Sequence, residues 1–94
     1  MIRLSLHYTG HVQGVGFRAA CRDLARDYAA SGYVMNLPDG RVLLEAEGEP
    51  DQLEALASAI AQRMKRYIRN VQTVRGPATG QFGPPAPGAL TIRR

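Results

Sequence analysis

A glycine-rich stretch near the N-terminus carries the residues best suited to binding an anion. The segment "GHVQGVGFR" runs from Gly10 to Arg18, and such clustered glycines indicate a backbone that turns sharply or is approached closely. Free N–H groups at the start of a helix bind phosphate-like anions, because the amides point at the ligand and the helix dipole adds positive potential. Arg18 would lie in the first helical turn, where its planar guanidinium can bind two phosphate oxygens.

Two other glycine-rich phosphate motifs do not fit this stretch. A dinucleotide fingerprint requires GxGxxG, whereas the glycines here are Gly10, Gly14 and Gly16. A Walker loop requires Gly-Lys-Ser/Thr, which is not present. From the loop alone, anion binding and a plain glycine turn with a solvated arginine remain equally good interpretations.

A second candidate for chemistry, Asn36, lies in "GYVMNLPDGRVLLEAEG" at the end of a predicted strand. The "LPDG" that follows has the composition of a turn, since Pro38 presets φ and Gly40 supplies a positive φ. Asn36 either caps this turn or faces the glycine-rich loop, depending on the strand register. The sequence leaves both roles open.

The elements that must position these residues follow clear periodicities. Residues 2–8 alternate apolar and polar side chains and predict a strand. A helix is predicted to begin near Gly16 or Phe17 and to end before Gly32, which would act as its C-terminal stop. Residues 33–47 are predicted to form a hairpin around the "LPDG" turn.

In the second half of the chain the apolar periodicity that predicts helices and strands is less regular. A helix with an apolar stripe is predicted to begin at Pro50. Residues 67–75 predict a strand with a bulge, because Val71 and Val74 break strict alternation. Residues 76–88 hold four glycines and four prolines and predict a loop, after which "ALTIR" predicts a last strand.

The resulting order, βαββαβ, predicts an α+β ferredoxin-like sandwich. One antiparallel sheet would carry two helices on one face, with the first and third strands as the central pair. Enzymes, RNA binders and metal carriers share this arrangement, so the fold alone does not decide function.

Length and composition predict a single cytoplasmic domain that spans residues 1–94, and we expect this domain to be a monomer. The 94 residues leave room for only one core. No apolar run has the length of a membrane span, and "MIRLSLHYTG" is too polar for a signal peptide. The single cysteine, Cys21, lies on the apolar stripe of the first helix and fits a reducing compartment. No cluster of metal-ligating residues is evident, so we expect no metal and no cofactor.

The net charge of +4 and its distribution suggest nucleic-acid binding as an alternative function. The basic segment "RMKRYIR" lies in the C-terminal third of the chain, and no acidic residue follows it. Sheet-based RNA binders stack bases on aromatic side chains. The predicted third-strand segment "RVLLEAEG" has two acids and no aromatic residue, which makes this alternative weaker.

Taken together, "GHVQGVGFR" and "GYVMNLPDGRVLLEAEG" resemble the two signature motifs of the acylphosphatase family. The first motif matches almost throughout. The second matches at seven positions: Gly32, Val34, Asn36, Asp39, Gly40, Val42 and Gly48. The resemblance is strong over residues 3–60 and weak afterwards.

The resemblance implies an enzyme that hydrolyses acyl phosphates, releasing a carboxylate and inorganic phosphate, without a metal. Arg18 and Asn36 would be the catalytic residues, and Asn36 would orient the attacking water. The substrate phosphate would bind to the loop residues Gln13, Gly14, Val15, Gly16, Phe17 and Arg18. A second option is a non-catalytic module that binds an acyl or carbamoyl phosphate for a larger machine, as in the hydrogenase maturation factor. No zinc-finger cysteine pattern follows, which favours a free-standing protein.

Several positions depart from the usual family pattern. Ala19 and Ala20 replace a frequent aromatic pair, and Tyr33 replaces a frequent tryptophan. The segment "RMKRYIRNVQTVRGP" does not resemble the usual Gly-Pro-Pro-containing segment after the second helix, and Leu90 stands where a phenylalanine is common. We expect these changes to affect substrate preference and efficiency more than the type of reaction.

Overall fold

The computed structural model describes all 94 residues, which form five strands and two α-helices. Along the chain the elements are β1 (Ile2–Gly10), α1 (Phe17–Leu24), a 3-10 turn (Ala25–Asp27), β2 (Ser31–Asn36), β3 (Val42–Gly48), α2 (Pro50–Arg63), β4 (Ile68–Pro77) and β5 (Ala89–Arg93). Neither helix is both long enough and apolar enough to cross a membrane.

The strands form one sheet in the order β4-β1-β3-β2-β5. β3 is the central strand and lies between β1 and β2. All neighbouring strands run antiparallel except β2 and β5, which are parallel. The ferredoxin-like α+β fold is confirmed, with the parallel fifth strand making the sheet mixed.

The hydrophobic core lies between the sheet and the two helices. β1 contributes every second side chain, as its alternation predicts, and β3 contributes another row. The largest buried apolar side chains are Tyr8, Phe17, Leu44, Leu56, Ile60 and Leu90. Cys21 lies fully inside this core, as predicted, and burial raises the pKa of its thiol to about 12.

The predicted helix stop at Gly32 is wrong. Helix α1 ends at Leu24 and continues only as the short 3-10 turn, whereas Gly32 lies within β2 at φ +152°. A Cβ atom at this position would collide with the backbone carbonyl oxygen of Glu45 on β3. The glycine therefore permits close strand approach rather than ending a helix.

The fourth strand differs in its details from the prediction. A bulge is present, but the register with β1 skips Arg69, since Thr9 pairs with Asn70 and Gly10 with Ile68. The strand also extends to Pro77, so the glycine- and proline-rich loop begins two residues later than predicted.

The buried carboxylate of Glu47 holds this loop against the sheet. It accepts hydrogen bonds from the Thr79 amide (2.8 Å), the Thr79 hydroxyl (2.8 Å) and the Gly80 amide (2.9 Å). Burial by itself would raise the pKa of Glu47, but these hydrogen bonds and the nearby Arg3 outweigh it and lower the pKa. The loop is thus attached through one ionised side chain.

Candidate active site

Two buried side chains anchor the glycine-rich loop between β1 and α1. Val12 and Phe17 are almost completely inaccessible, and the Phe17 ring packs 4.8 Å from the Tyr8 ring, centroid to centroid. Between these anchors, Gly14 and Gly16 adopt φ values of +78° and +77°, which favour glycine. The sequence therefore fixes both ends of the loop in the core and bends the backbone between them.

The loop presents a row of amide N–H groups without an acceptor in the chain. No hydrogen bond is donated by the amides of residues 13–16. The first helical bond of α1 runs from the Ala20 amide to the Gly16 carbonyl, so the amides of residues 17–19 are also left free. Because they lie at the positive end of the helix dipole, these donors suit an anion with several oxygen atoms.

Arg18 lies in the first turn of α1 and lines a cavity of about 180 Å³ together with Gly14 and Gly16. Its guanidinium forms no ion pair with any carboxylate of the chain. It is therefore available to pair with an external anion, and its five N–H donors match the oxygens of a phosphate group.

Asn36 lines the same cavity, from the end of β2. Strand alternation places it on the same face as the fully buried Val34, which is the face covered by the helices. Its side chain makes no hydrogen bond within the chain. An amide that faces a cavity without an internal partner can hold a water molecule or a ligand oxygen.

The adjacent turn does not depend on the Asn36 side chain. The Gly40 amide donates to the Leu37 carbonyl at 3.1 Å, and the Arg41 amide donates to the Asp39 carboxylate at 3.1 Å. This bond from the Arg41 amide lowers the pKa of Asp39. Asp39 therefore takes the turn-supporting role that the sequence left open for Asn36.

Gln13 connects the two halves of the site. Its Nε2 donates to the Leu37 carbonyl (2.8 Å) and to the Arg41 carbonyl (3.0 Å), both in the turn after β2. Gln13 and Val15 do not line the cavity, in contrast to the other four predicted loop residues. Gln13 and Val15 can therefore contribute to the site only through their backbone amides.

Four lining residues were not predicted from the sequence as members of the site: Val12, Ala19, Ile92 and Arg94. Ala19 follows Arg18 in α1. Ile92 and Arg94 come from the C-terminal strand and the residue after it, and Val12 precedes the loop. β5 lies beside β2, with Ile92 paired to Val34, which brings this end of the chain to the cavity. Alternation in "ALTIRR" places Ile92 and Arg94 on one face, but the neighbouring strand could not be identified from this pattern alone.

The loop histidine is separate from the cavity. His11 is exposed and does not line it, and its ring lies 6.4 Å from the Tyr67 ring. His11 is therefore a solvent-exposed loop residue outside the site.

Comparison with known proteins identifies related chains. The family model described as Acylphosphatase matches residues 4–82. An acylphosphatase of Methanospirillum hungatei is 45% identical over 73 residues, covering 76% of this chain and 80% of the relative. An acylphosphatase of Marinobacter nauticus is 43% identical over 81 residues, covering 85% and 88% respectively. The crystal structure of acylphosphatase from Bacillus subtilis superposes with a TM-score of 0.84 at 23% identity, covering all of both chains.

Proposed function

The chain belongs to the acylphosphatase family and hydrolyses acyl phosphates, and we propose that Arg18, Asn36 and the loop amides of residues 13–18 carry out this reaction. The observation that carries the proposal is the shared cavity, which Arg18 and Asn36 enter from different elements. Neither side chain has a structural partner within the chain, so both are free to act on a substrate.

In this proposal the phosphate group of the substrate binds to the loop. Its oxygens accept hydrogen bonds from the free amides and from the Arg18 guanidinium. Phosphoryl transfer passes through a loose transition state in most analyses, so positioning and charge stabilisation provide most of the catalysis. Donors fixed in advance by the loop stabilise the developing charge without having to reorganise.

Asn36 positions the water that attacks phosphorus. Its amide cannot remove a proton near neutral pH, so it orients the water through hydrogen bonds only. The water oxygen forms a bond to phosphorus as the bond from phosphorus to the acyl oxygen breaks. The electron pair of that bond leaves with the carboxylate, and the proton of the water passes to a phosphate oxygen. Because a carboxylate is a good leaving group, no general acid is required.

We further propose that residues 1–94 act as a single domain, as a monomer, in the cytoplasm and without a metal or cofactor. The buried reduced cysteine, Cys21, supports a reducing compartment. The substrate is a small acyl phosphate, and inorganic phosphate is one product.

Hydrolysis of benzoyl phosphate in water labelled with heavy oxygen tests this mechanism. Attack at phosphorus predicts that the label appears in inorganic phosphate and not in benzoate. Parallel reactions with and without EDTA should proceed at the same rate. Label in benzoate would disprove attack at phosphorus, and a loss of activity in EDTA that a divalent ion restores would disprove the metal-free mechanism.

A further inference from the structure

A line of arginines leads away from the proposed phosphate site. Arg18, Arg22 and Arg26 recur at intervals of four residues, which places them along one side of α1 and the following 3-10 turn. Arg22 and Arg26 border a groove of about 480 Å³, which we call the arginine groove. Its lining residues are Arg22, Arg26, Gly88, Leu90, Thr91, Ile92 and Arg94.

The arginine groove adjoins the active-site cavity through two shared lining residues. Ile92 and Arg94 line both spaces, so one wall runs from the phosphate site into the groove. Arg22 follows Arg18 by four residues, which corresponds to roughly 6 Å along a helix. A substrate whose phosphate binds at Arg18 therefore has an adjoining space for its other end.

The charge of the groove is largely uncompensated. Three of its lining residues are arginines and none is acidic. The only ion pair among these arginines joins Arg26 to Asp23 at 3.6 Å, where the Arg26 side chain remains 66% exposed. Like charges four residues apart destabilise a helix by a few tenths of a kcal/mol, and an anion bound between them would offset that repulsion.

We propose that the arginine groove binds the acyl group of the substrate, and that this chain prefers acyl phosphates whose acyl group carries a carboxylate of its own. This inference rests on the proposed placement of the phosphate at Arg18. The carbon skeleton of the acyl group would contact Ile92. Its carboxylate would form an ion pair with Arg22 and, at a greater distance from Arg18, with Arg26. The reaction at phosphorus is unchanged, so the groove acts on substrate selection alone.

Two substrates that differ in one charge test this preference. Benzoyl phosphate and 4-carboxybenzoyl phosphate both release an aromatic carboxylate, and they differ only in the carboxylate at the far side of the ring. We expect kcat/KM to be about threefold to tenfold higher for the carboxylated substrate at low ionic strength, as for one or two partly exposed ion pairs. The ratio should fall toward one in about 0.5 M salt, because the arginines are exposed and are therefore screened.

Arg22→Gln provides the residue-specific test, because Arg22 borders the groove but not the cavity. The ratio of the two kcat/KM values should fall toward one in this variant. Arg63→Gln, at the end of α2 and outside the groove, is the matched control and should keep the ratio of the unchanged protein. Urea unfolding of both variants verifies that the fold is retained.

The possible failures are distinguishable. If benzoyl phosphate is hydrolysed but the ratio is near one in the unchanged protein, the groove proposal is wrong and the proposed function stands. The same conclusion follows if Arg22→Gln lowers both kcat/KM values equally. If neither substrate is hydrolysed, the proposed function and the groove proposal are both wrong.

Discussion

Replacement of Gln13 by methionine tests whether the loop and the β2–β3 turn act as one unit. Methionine has nearly the same length as glutamine but cannot donate to the Leu37 and Arg41 carbonyls, which Gln13 contacts at 2.8 and 3.0 Å. Both carbonyls keep a second donor, since Leu37 accepts from the Gly40 amide and Arg41 accepts from the Leu37 amide. The variant therefore loses two hydrogen bonds without leaving either carbonyl oxygen unpaired.

This geometry sets the size of the expected effect. Two neutral hydrogen bonds contribute a net free energy of roughly 1–2 kcal/mol when their acceptors stay paired, near the lower part of the range for such bonds. For a small domain this lowers the urea midpoint of Gln13→Met by about 1 M. Because Gln13 also holds the loop next to the strand end that carries Asn36, we expect kcat/KM for benzoyl phosphate to fall about tenfold or more.

The control for this experiment is Gln72→Met. Gln72 is an exposed residue of β4 whose side chain makes no hydrogen bond, so its replacement should change neither the midpoint nor kcat/KM. If Gln13→Met behaves like Gln72→Met in both measurements, the two hydrogen bonds do not position the site and the reasoning is refuted.

Three further variants or probes test separate parts of the structure. Arg18→Lys keeps the positive charge but loses the planar guanidinium and its paired N–H donors, so kcat/KM for benzoyl phosphate should fall about 100-fold or more while the urea midpoint stays unchanged. Near-normal kinetics would contradict the proposed role of Arg18 in phosphate binding. Glu47→Gln should lower the free energy of unfolding by about 2 kcal/mol near pH 7, because it removes charge-assisted hydrogen bonds. Since the folded-state pKa of Glu47 is lowered, this stabilisation is present above the ordinary glutamate pKa and is lost as the pH falls through the folded value. In urea titrations the difference in unfolding free energy between Glu47→Gln and the unchanged protein should therefore shrink as the pH falls below the ordinary glutamate pKa, and a difference that stays constant would contradict the role of the ionised carboxylate. Cys21 should resist an aromatic disulfide reagent in the native state and react in urea, because its thiol is buried with a pKa of about 12; rapid native labelling would place it outside the core.

Local patterns in the sequence were sufficient to predict most of the fold. Alternation in residues 2–8 and the "LPDG" turn depend on neighbouring residues only, and both appear in the structure as expected. Gly32 was misinterpreted because a glycine after a helix often ends it, whereas here the constraint is the approach of Glu45 from another strand. That constraint depends on a long-range contact that the sequence does not display.

The candidate site shows the same division between local and long-range information. Arg18 could be placed in the first turn of α1 from the glycine-rich segment alone. The direction of Asn36 follows from its alternation with Val34, once the register of β2 against β3 is established. The roles of Gln13 and Arg94 depend on which turn and which strand lie beside them, and these neighbours are determined by tertiary packing.

The central claim is that Arg18 with the loop binds phosphate while Asn36 acts on the attacking water. The most direct test measures kcat for benzoyl phosphate and the inhibition constant of inorganic phosphate on one preparation of Asn36→Ala. We expect kcat to fall about 100-fold and the inhibition constant to stay within about threefold, because water positioning matters mainly in the transition state. A kcat close to that of the unchanged protein, or an inhibition constant raised far beyond threefold, would contradict this division of roles.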